Sequence, residues 1–230
     1  MKDKIKVVAF DADDTLWVNE PYFRETEEQF CAMLENFLPG HSVAKELFRF
    51  EIKNLPLYGY GIKGFMLSMV ETAINVTEGK ADISLVSKIL DLGKEMLDKP
   101  IELLEGVVET LETLKGKYRL VVATKGDLLD QERKLRKSGL AAYFHHIEIM
   151  SDKQVADYQK LLKHLDCQPD EFVMIGNSIK SDILPVLELG SFAVHVPYHT
   201  TWVHEQVEHT LDHSGFIELK QLDEILKFLN

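Results

Sequence analysis

A short apolar run that ends directly in three carboxylates constrains this chain more than any other feature. The segment Val7–Leu16 reads VVAFDADDTL, with acids at Asp11, Asp13 and Asp14. Apolar, partly β-branched residues in such a run predict a strand of a parallel sheet that is buried on both faces. Open α/β sheets bind ligands in the loops beyond the carboxyl ends of their strands. We therefore predict a functional site in the loop that begins at Asp11.

The spacing of Asp11 and Asp13 calls for a nearby cation. Carboxylates two positions apart beyond a strand can converge on one small volume. At about 4 Å and an effective dielectric constant near 20, two negative charges repel each other by roughly 4 kcal/mol. A divalent cation with oxygen ligands, Mg²⁺ above all, would offset this repulsion. The competing interpretation is a solvated acidic turn that caps the next helix.

Composition limits the partners of the chain. The 230 residues suffice for one full core and a smaller accessory domain. With 26 Lys and Arg against 38 Asp and Glu, the net charge of −12 argues against nucleic acid or an anionic membrane as a partner. No apolar run approaches the ~20 residues that span a bilayer. An anionic substrate must therefore be attracted locally, by a metal, a lysine or backbone N–H groups.

The two cysteines and the first residues of the chain predict a cytoplasmic protein. Cys31 and Cys167 lie far apart and have no spacing typical of a metal site, which favours reduced thiols. The segment Met1–Lys6 is charged, and the apolar run after it is too short for a signal peptide.

The periodicity of apolar residues divides the chain into two regions. From residue 20 to residue 99 the spacing is helical and indicates no strand. From Pro100 onwards helices alternate with short apolar runs, at 120–123, 147–150, 172–175 and 192–196. This alternation predicts a Rossmann-like, doubly wound parallel sheet formed by residues 1–19 and 100–230, with residues 20–99 inserted as an α-helical subdomain.

One segment of the helical region is rich in Gly and aromatic residues. A proline and two glycines between Leu55 and Gly61 predict a break in the helix. The surrounding loop, Leu57–Gly64, is either a substrate-facing part of the subdomain or a plain turn between helices whose Tyr58 and Tyr60 pack on the subdomain.

The pattern Asp11-x-Asp13-x-Thr15 resembles the first motif of the haloacid dehalogenase-like (HAD) hydrolase superfamily, in its phosphatase members. The resemblance implies that Asp11 is a nucleophile and Asp13 a general acid/base. A carboxylate can attack phosphorus to give an aspartyl-phosphate, and a second carboxyl group can protonate the leaving alcohol. It also implies that residues 20–99 are a cap that closes over the catalytic loops, excludes water and selects the leaving group.

Two further motifs of the superfamily have counterparts after the next strands. Thr124 ends the second predicted strand, where a hydroxyl and backbone N–H groups form an anion site; the resemblance makes it a ligand of the phosphoryl group. Many relatives have Asn at the next position, and Lys125 here either adds positive charge for the substrate or points to solvent. Lys153, after the third strand, would bind the phosphoryl group and stabilise charge in the transition state.

The fourth motif departs from the family pattern. Relatives commonly carry two acids that complete a Mg²⁺ site, whereas this chain has Asn177 at the first position and Asp182 at the second. An amide oxygen can still bind Mg²⁺ or orient its water, without a formal charge. The implied metal ligands are Asp11, Asp13, Asn177 and Asp182.

These motifs together predict a Mg²⁺-dependent phosphatase that hydrolyses a phosphate monoester of a small metabolite through an aspartyl-phosphate. Asp13 argues against a dehalogenase, because a leaving halide needs no acid. Three alternatives stay open: a phosphoglucomutase-type phosphotransferase, a phosphonatase that uses a cap lysine (Lys45, Lys53 or Lys63) for a Schiff base, and a non-catalytic phosphate-binding regulatory module.

Overall fold

The computed structural model describes residues 4–207 and 211–229. The chain forms two compact units. The α/β unit comprises Met1–Glu20, Ile101–Lys125 and Gln131–Asn230, and the helical unit comprises Pro21–Pro100 and Gly126–Asp130. Within the described ranges, no helix combines the length and the apolar character that a membrane crossing needs.

The α/β unit is built on one parallel sheet. In the described part of the chain the sheet has six strands in the order β3-β2-β1-β4-β5-β6. The strands are β1 (Val7–Phe10), β2 (Arg119–Lys125), β3 (His146–Met150), β4 (Phe172–Gly176), β5 (Phe192–His195) and β6 (Phe216–Glu218). This arrangement confirms the predicted Rossmann-like α/β fold.

Helices cover both faces of this sheet, which explains the unbroken apolar runs of the strands. Side chains of β1 alternate between two apolar clusters, with Val8 and Phe10 in one and Val7 and Ala9 in the other. All four are fully buried. The helices of the predicted core region are α5 (Val107–Leu114), α6 (Leu128–Lys137), α7 (Val155–His164), α8 (Leu184–Glu188) and α9 (Leu226–Leu229).

The register of the central strands brings their carboxyl ends together. Phe10 of β1 pairs with Val122 of β2 on one side and with Ile175 of β4 on the other. The strand order runs from β1 to one side as far as β3 and then resumes on the other side of β1 with β4. Open α/β sheets form a ligand-binding crevice at such a point. Residues just beyond Phe10, Val122 and Ile175 lie at the same edge of the sheet.

The helical unit has a core of its own. Its helices are α1 (Glu20–Met33, whose first residue belongs to the α/β unit), α2 (Gly40–Tyr58), α3 (Ile62–Val76) and α4 (Ile83–Asp98). Their apolar faces enclose a buried cluster that includes Phe30, Leu47, Met69 and Ile89.

The helix break predicted over Leu55–Gly61 is shorter in the structure and begins only after Tyr58. Helix α2 continues through Pro56 to Tyr58, and three residues separate it from α3. Pro56 removes one backbone donor from the helix, but the N–H of Gly59 still bonds to the carbonyl of Leu55 at 2.9 Å and completes the last turn. Packing of α2 on α3 thus overrides a local signal for a turn.

Candidate active site

Asp11 is the first residue after β1 and is buried at the carboxyl end of the sheet. Its backbone N–H donates to the carbonyl of Ile175 at 2.8 Å, which fixes the start of the loop against β4. Its Oδ1 accepts a hydrogen bond from Lys153 Nζ at 2.5 Å, and its Oδ2 lies 3.4 Å from Thr15 Oγ1. Burial raises the pKa of Asp11 to about 7, against the opposing effect of the Lys153 ammonium.

Lys153 joins two buried carboxylates. Its Nζ lies 2.5 Å from Asp11 Oδ1 and 2.6 Å from Asp182 Oδ1, and the residue is only 2% exposed. Burial disfavours the ammonium, but the two adjacent carboxylates outweigh it and raise the pKa of Lys153. The lysine that follows β3 therefore carries its charge inside the protein.

Asp182 lies in a π-helical turn, Ile179–Ile183, that precedes α8. Such turns occur frequently at functional sites. Asp182 Oδ2 accepts the backbone N–H of Ser178 at 3.0 Å, and the Ser178 hydroxyl accepts the N–H of Ser181 at 3.0 Å. Gly176 packs against the Asp182 carboxylate so closely that any side chain there would overlap with it. Glycine is thus needed at position 176, because it lets the Asp182 carboxylate pack against the backbone there.

Oxygen atoms suited to Mg²⁺ converge beside Asp11. The Thr15 hydroxyl lies 3.4 Å from both Asp11 Oδ2 and Asn177 Oδ1, so these two acceptors face a common point. Among residues 4–207 and 211–229, no three His, Cys, Asp or Glu side chains are grouped to hold a metal. The carboxylates of Asp11 and Asp182 and the amide of Asn177 nevertheless supply the hard oxygen donors that Mg²⁺ prefers.

The side chain of Asp13 is held by three donors that sequence reasoning did not identify. Its Oδ1 accepts from Trp17 Nε1 at 2.7 Å and from Lys134 Nζ at 2.8 Å, and its Oδ2 accepts from Gln131 Nε2 at 2.7 Å. Lys134 also donates to Asn19 Oδ1 at 2.7 Å. Gln131 and Lys134 lie three residues apart on α6, so they share one helix face. The spacing of Gln131 and Lys134 is the feature of the sequence that could have identified them as a pair on one helix face.

Thr124 and Lys125, the last two residues of β2, have different surroundings. Thr124 is buried, and its hydroxyl lies 3.4 Å from the carbonyl oxygen of Lys125. Lys125 Nζ donates to Ser181 Oγ at 2.8 Å and to Glu205 Oε1 at 2.5 Å. The ammonium of Lys125 is therefore part of an ion pair and does not simply point to solvent.

Asp14, the third acid of the first motif, supports the backbone. Its carboxylate accepts the N–H groups of Asn19 at 2.8 Å and of Glu20 at 2.9 Å, where α1 begins. Its φ of 61° lies in the left-handed region, which Asp adopts more readily than most residues. Burial raises the pKa of Asp14 to about 8.

A parallel α/β sheet with a lysine-bridged carboxylate at the end of its central strand is an arrangement suited to covalent hydrolysis. A sequence profile of the haloacid dehalogenase-like hydrolases matches residues 5–190, and the chain belongs to this family. The resemblance seen in the motifs is thereby confirmed.

Relatives of this chain include named phosphatases. Glyceraldehyde 3-phosphate phosphatase of Methanothermobacter thermautotrophicus is 32% identical over 126 residues, which cover 51% of this chain and 55% of that protein. This alignment spans only about half of either protein. Pyrimidine 5′-nucleotidase YjjG of Escherichia coli is 23% identical over 227 residues, which cover 94% of this chain and 96% of that protein.

One solved structure has the same fold over nearly the whole length of this chain. The haloacid dehalogenase-like family hydrolase from Xanthomonas campestris is 36% identical and superposes with a TM-score of 0.88, covering 98% of this chain and 92% of that one.

Proposed function

We propose that this protein is a Mg²⁺-dependent phosphatase that hydrolyses a phosphate monoester of a small metabolite through an aspartyl-phosphate. The observation that carries the proposal is the buried Asp11 carboxylate, which Lys153 bridges to Asp182 at the carboxyl end of β1. The names of two relatives, a sugar-phosphate phosphatase and a nucleotidase, support a phosphate ester as the substrate.

In the first half of the proposed reaction, a carboxylate oxygen of Asp11 attacks phosphorus. The new Asp11 O–P bond forms as the bond from phosphorus to the leaving oxygen breaks. The ammonium of Lys153 and the hydroxyl of Thr124 would contact the phosphoryl oxygens and stabilise their charge in the transition state. Water then attacks phosphorus, which releases inorganic phosphate and restores the Asp11 carboxylate.

Asp13 is the proposed general acid and base. It would donate a proton to the leaving alcohol in the first half and accept a proton from water in the second. Its hydrogen bonds to Trp17, Gln131 and Lys134 fix the position of the carboxyl group.

The proposed metal ligands are Asp11, the backbone carbonyl of Asp13, Asn177 and Asp182. When bound, Mg²⁺ would offset the negative charge of the phosphoryl group and of the surrounding carboxylates. We assign the amide of Asn177 as a neutral ligand because its Oδ1 faces the same point as Asp11 Oδ2.

The helical unit is proposed as the cap that selects the substrate. The phosphonatase alternative needs a cap lysine that is free to form a Schiff base, and one candidate is already engaged: Lys63 Nζ donates to both carboxylate oxygens of Asp127, at 2.9 and 3.0 Å. The cytoplasm is the proposed compartment because Cys31 and Cys167 are both free thiols.

Hydrolysis of p-nitrophenyl phosphate with Mg²⁺, and again with excess chelator, tests the proposed activity. We expect turnover that requires Mg²⁺. A panel of sugar phosphates and nucleotides, with and without acceptor sugars, then separates hydrolysis from phosphoryl transfer. Absence of Mg²⁺-dependent turnover on every phosphate ester, in a protein that is folded by circular dichroism, would overturn the proposal.

Replacing Asp13 by Asn should affect poor leaving groups most. General acid catalysis contributes about 10²–10⁴-fold, and a sugar phosphate needs the proton whereas p-nitrophenolate leaves without it. We therefore expect kcat to fall by about that factor on a sugar phosphate and far less on p-nitrophenyl phosphate. Equal losses on the two substrates would contradict the acid role.

Replacing Asn177 by Asp should strengthen binding of Mg²⁺. One more formal charge beside the ion is worth about 1 kcal/mol or more, so the Mg²⁺ concentration for half-maximal activity should fall about fivefold. Asn36→Asp, which adds the same charge at an exposed position of the helical unit, is the control. A Mg²⁺ titration of Asn177→Asp that shifts to higher concentration would show that this side chain does not face the metal.

A further inference from the structure

Glu205 is a largely buried carboxylate outside the proposed catalytic residues. It follows β5 in the segment 196–205, and its side chain is 10% exposed. Its Oε1 accepts from Lys125 Nζ at 2.5 Å, and its Oε2 accepts from the hydroxyls of Ser178 at 2.5 Å and Ser181 at 2.6 Å. Burial opposes its charge, but these partners lower the pKa of Glu205 to about 2.

These contacts join the loops that follow three strands. Lys125 ends β2, the two serines follow β4, and Glu205 follows β5. The segment 196–205 is also fixed at its beginning, because the Val196 N–H donates to the Gly176 carbonyl at 3.0 Å. The fourth motif is therefore hydrogen-bonded to both the beginning and the end of the segment 196–205.

The serines that Glu205 contacts are those that shape the turn around Asp182. The Ser178 N–H donates to Asp182 Oδ2, and the Ser178 hydroxyl accepts the N–H of Ser181 while donating to Glu205. Without the carboxylate, two hydroxyl donors and the ammonium of Lys125 would lose their acceptor in a largely buried place. An unsatisfied buried donor costs about 1–3 kcal/mol, and a charged one costs more, so the turn would rearrange.

We propose that Glu205 is a positioning residue that fixes the turn at 178–182 and so determines where Asn177 and Asp182 present their oxygens to the metal. The proposal rests on the proposed function, since it concerns the same metal site. Lys125 acts in this arrangement through Glu205, because its ammonium is the counter-ion of the Glu205 carboxylate.

The test compares Glu205→Ala and Glu205→Gln with the control Glu171→Ala. Glu171 also forms an ion pair, with Lys6, but it lies immediately before β4, at the opposite end of that strand from Asn177. Two readouts do not depend on turnover: binding of Mg²⁺ alone by calorimetry, and hydrogen exchange of the backbone amides of residues 177–183. Steady-state kcat and KM on p-nitrophenyl phosphate complete the set.

We expect Glu205→Ala to weaken Mg²⁺ binding by about 10- to 100-fold, the usual effect of removing a group that orients metal ligands. Amides of residues 178–182 should exchange faster, and kcat should fall more than KM rises. Glu205→Gln should recover part of the affinity, because its amide oxygen can accept from the two serine hydroxyls whereas its NH2 group cannot accept from Lys125. Lys125→Met should weaken Mg²⁺ binding as well, and adding it to Glu205→Ala should cost little more than Glu205→Ala alone. Glu171→Ala should leave Mg²⁺ binding unchanged.

Unchanged Mg²⁺ affinity and unchanged amide exchange in Glu205→Ala would overturn the proposal. If that variant does not fold, Glu205→Gln and the double variant Ser178→Ala/Ser181→Ala decide by the same two readouts. A wild-type protein that neither binds Mg²⁺ nor hydrolyses phosphate esters would overturn the proposed function and the effect on the metal with it. The exchange measurement would still decide whether Glu205 holds the turn.

Discussion

Replacing Asp11 by Asn is expected to lower kcat by about 10⁴-fold or more while the chain still folds. The amide of asparagine cannot attack phosphorus, so the covalent route is closed. Its single oxygen can still accept the hydrogen bond from Lys153, while its NH2 group takes the place of the oxygen that faces Thr15. The variant therefore removes the nucleophile but keeps the shape of the side chain and its contact with Lys153.

Turnover of p-nitrophenyl phosphate and the midpoint of denaturant unfolding should be measured on the same preparation. Asp170→Asn is a matched control, since Asp170 pairs with Lys4 on the surface just before β4. Acid quench during turnover should trap a phosphoryl group on the peptide that contains Asp11 in the wild type, and none in Asp11→Asn. Near-native kcat in Asp11→Asn would exclude covalent catalysis by this residue.

The sheet and its catalytic edge could be predicted because their signals are local. Buried parallel strands must be apolar throughout, and the polar residues that follow them then stand out. Asp11, after β1, was identified in this way, whereas Asn177, after β4, was identified from the family resemblance of the fourth motif. The register brings the oxygens of both within reach of one hydroxyl, that of Thr15. The apolar runs predicted as strands at 120–123, 147–150 and 172–175 lie within β2, β3 and β4.

Contacts between distant parts of the chain could not be predicted in the same way. Lys125 and Glu205 are 80 residues apart, and only the order of the strands brings β2, β4 and β5 to one edge. A glutamate in the segment after β5 has no sequence signal for burial. Gln131 and Lys134 show helical spacing, but nothing in the sequence shows that their face meets Asp13.

Local signals also fail where packing outweighs them. A proline near two glycines normally ends a helix, yet Pro56 lies inside α2 because that helix packs along α3. This error concerns the end of a helix, where a few backbone hydrogen bonds decide the outcome.

Lys153→Met should lower both activity and stability, because one ammonium serves two buried acids. Removing one member of a buried ion pair costs about 3–5 kcal/mol of unfolding free energy, since it leaves uncompensated charge. Here two carboxylates, Asp11 and Asp182, would lose their partner. Loss of a charge that stabilises the transition state should also reduce kcat by about 10²–10³-fold.

The matched control for this change is Lys160→Met. Lys160 lies one turn into α7, pairs with Asp157 at 3.2 Å, and has a side chain that is 70% exposed. An exposed pair of this kind contributes little, so the control should unfold near the wild-type denaturant midpoint and retain its kcat. Lys153→Arg retains the positive charge but changes its shape, and should recover stability more fully than turnover. A Lys153→Met protein as stable as the Lys160→Met control would show that Asp11 and Asp182 do not depend on this ammonium, and the charge balance inferred for the site would be wrong.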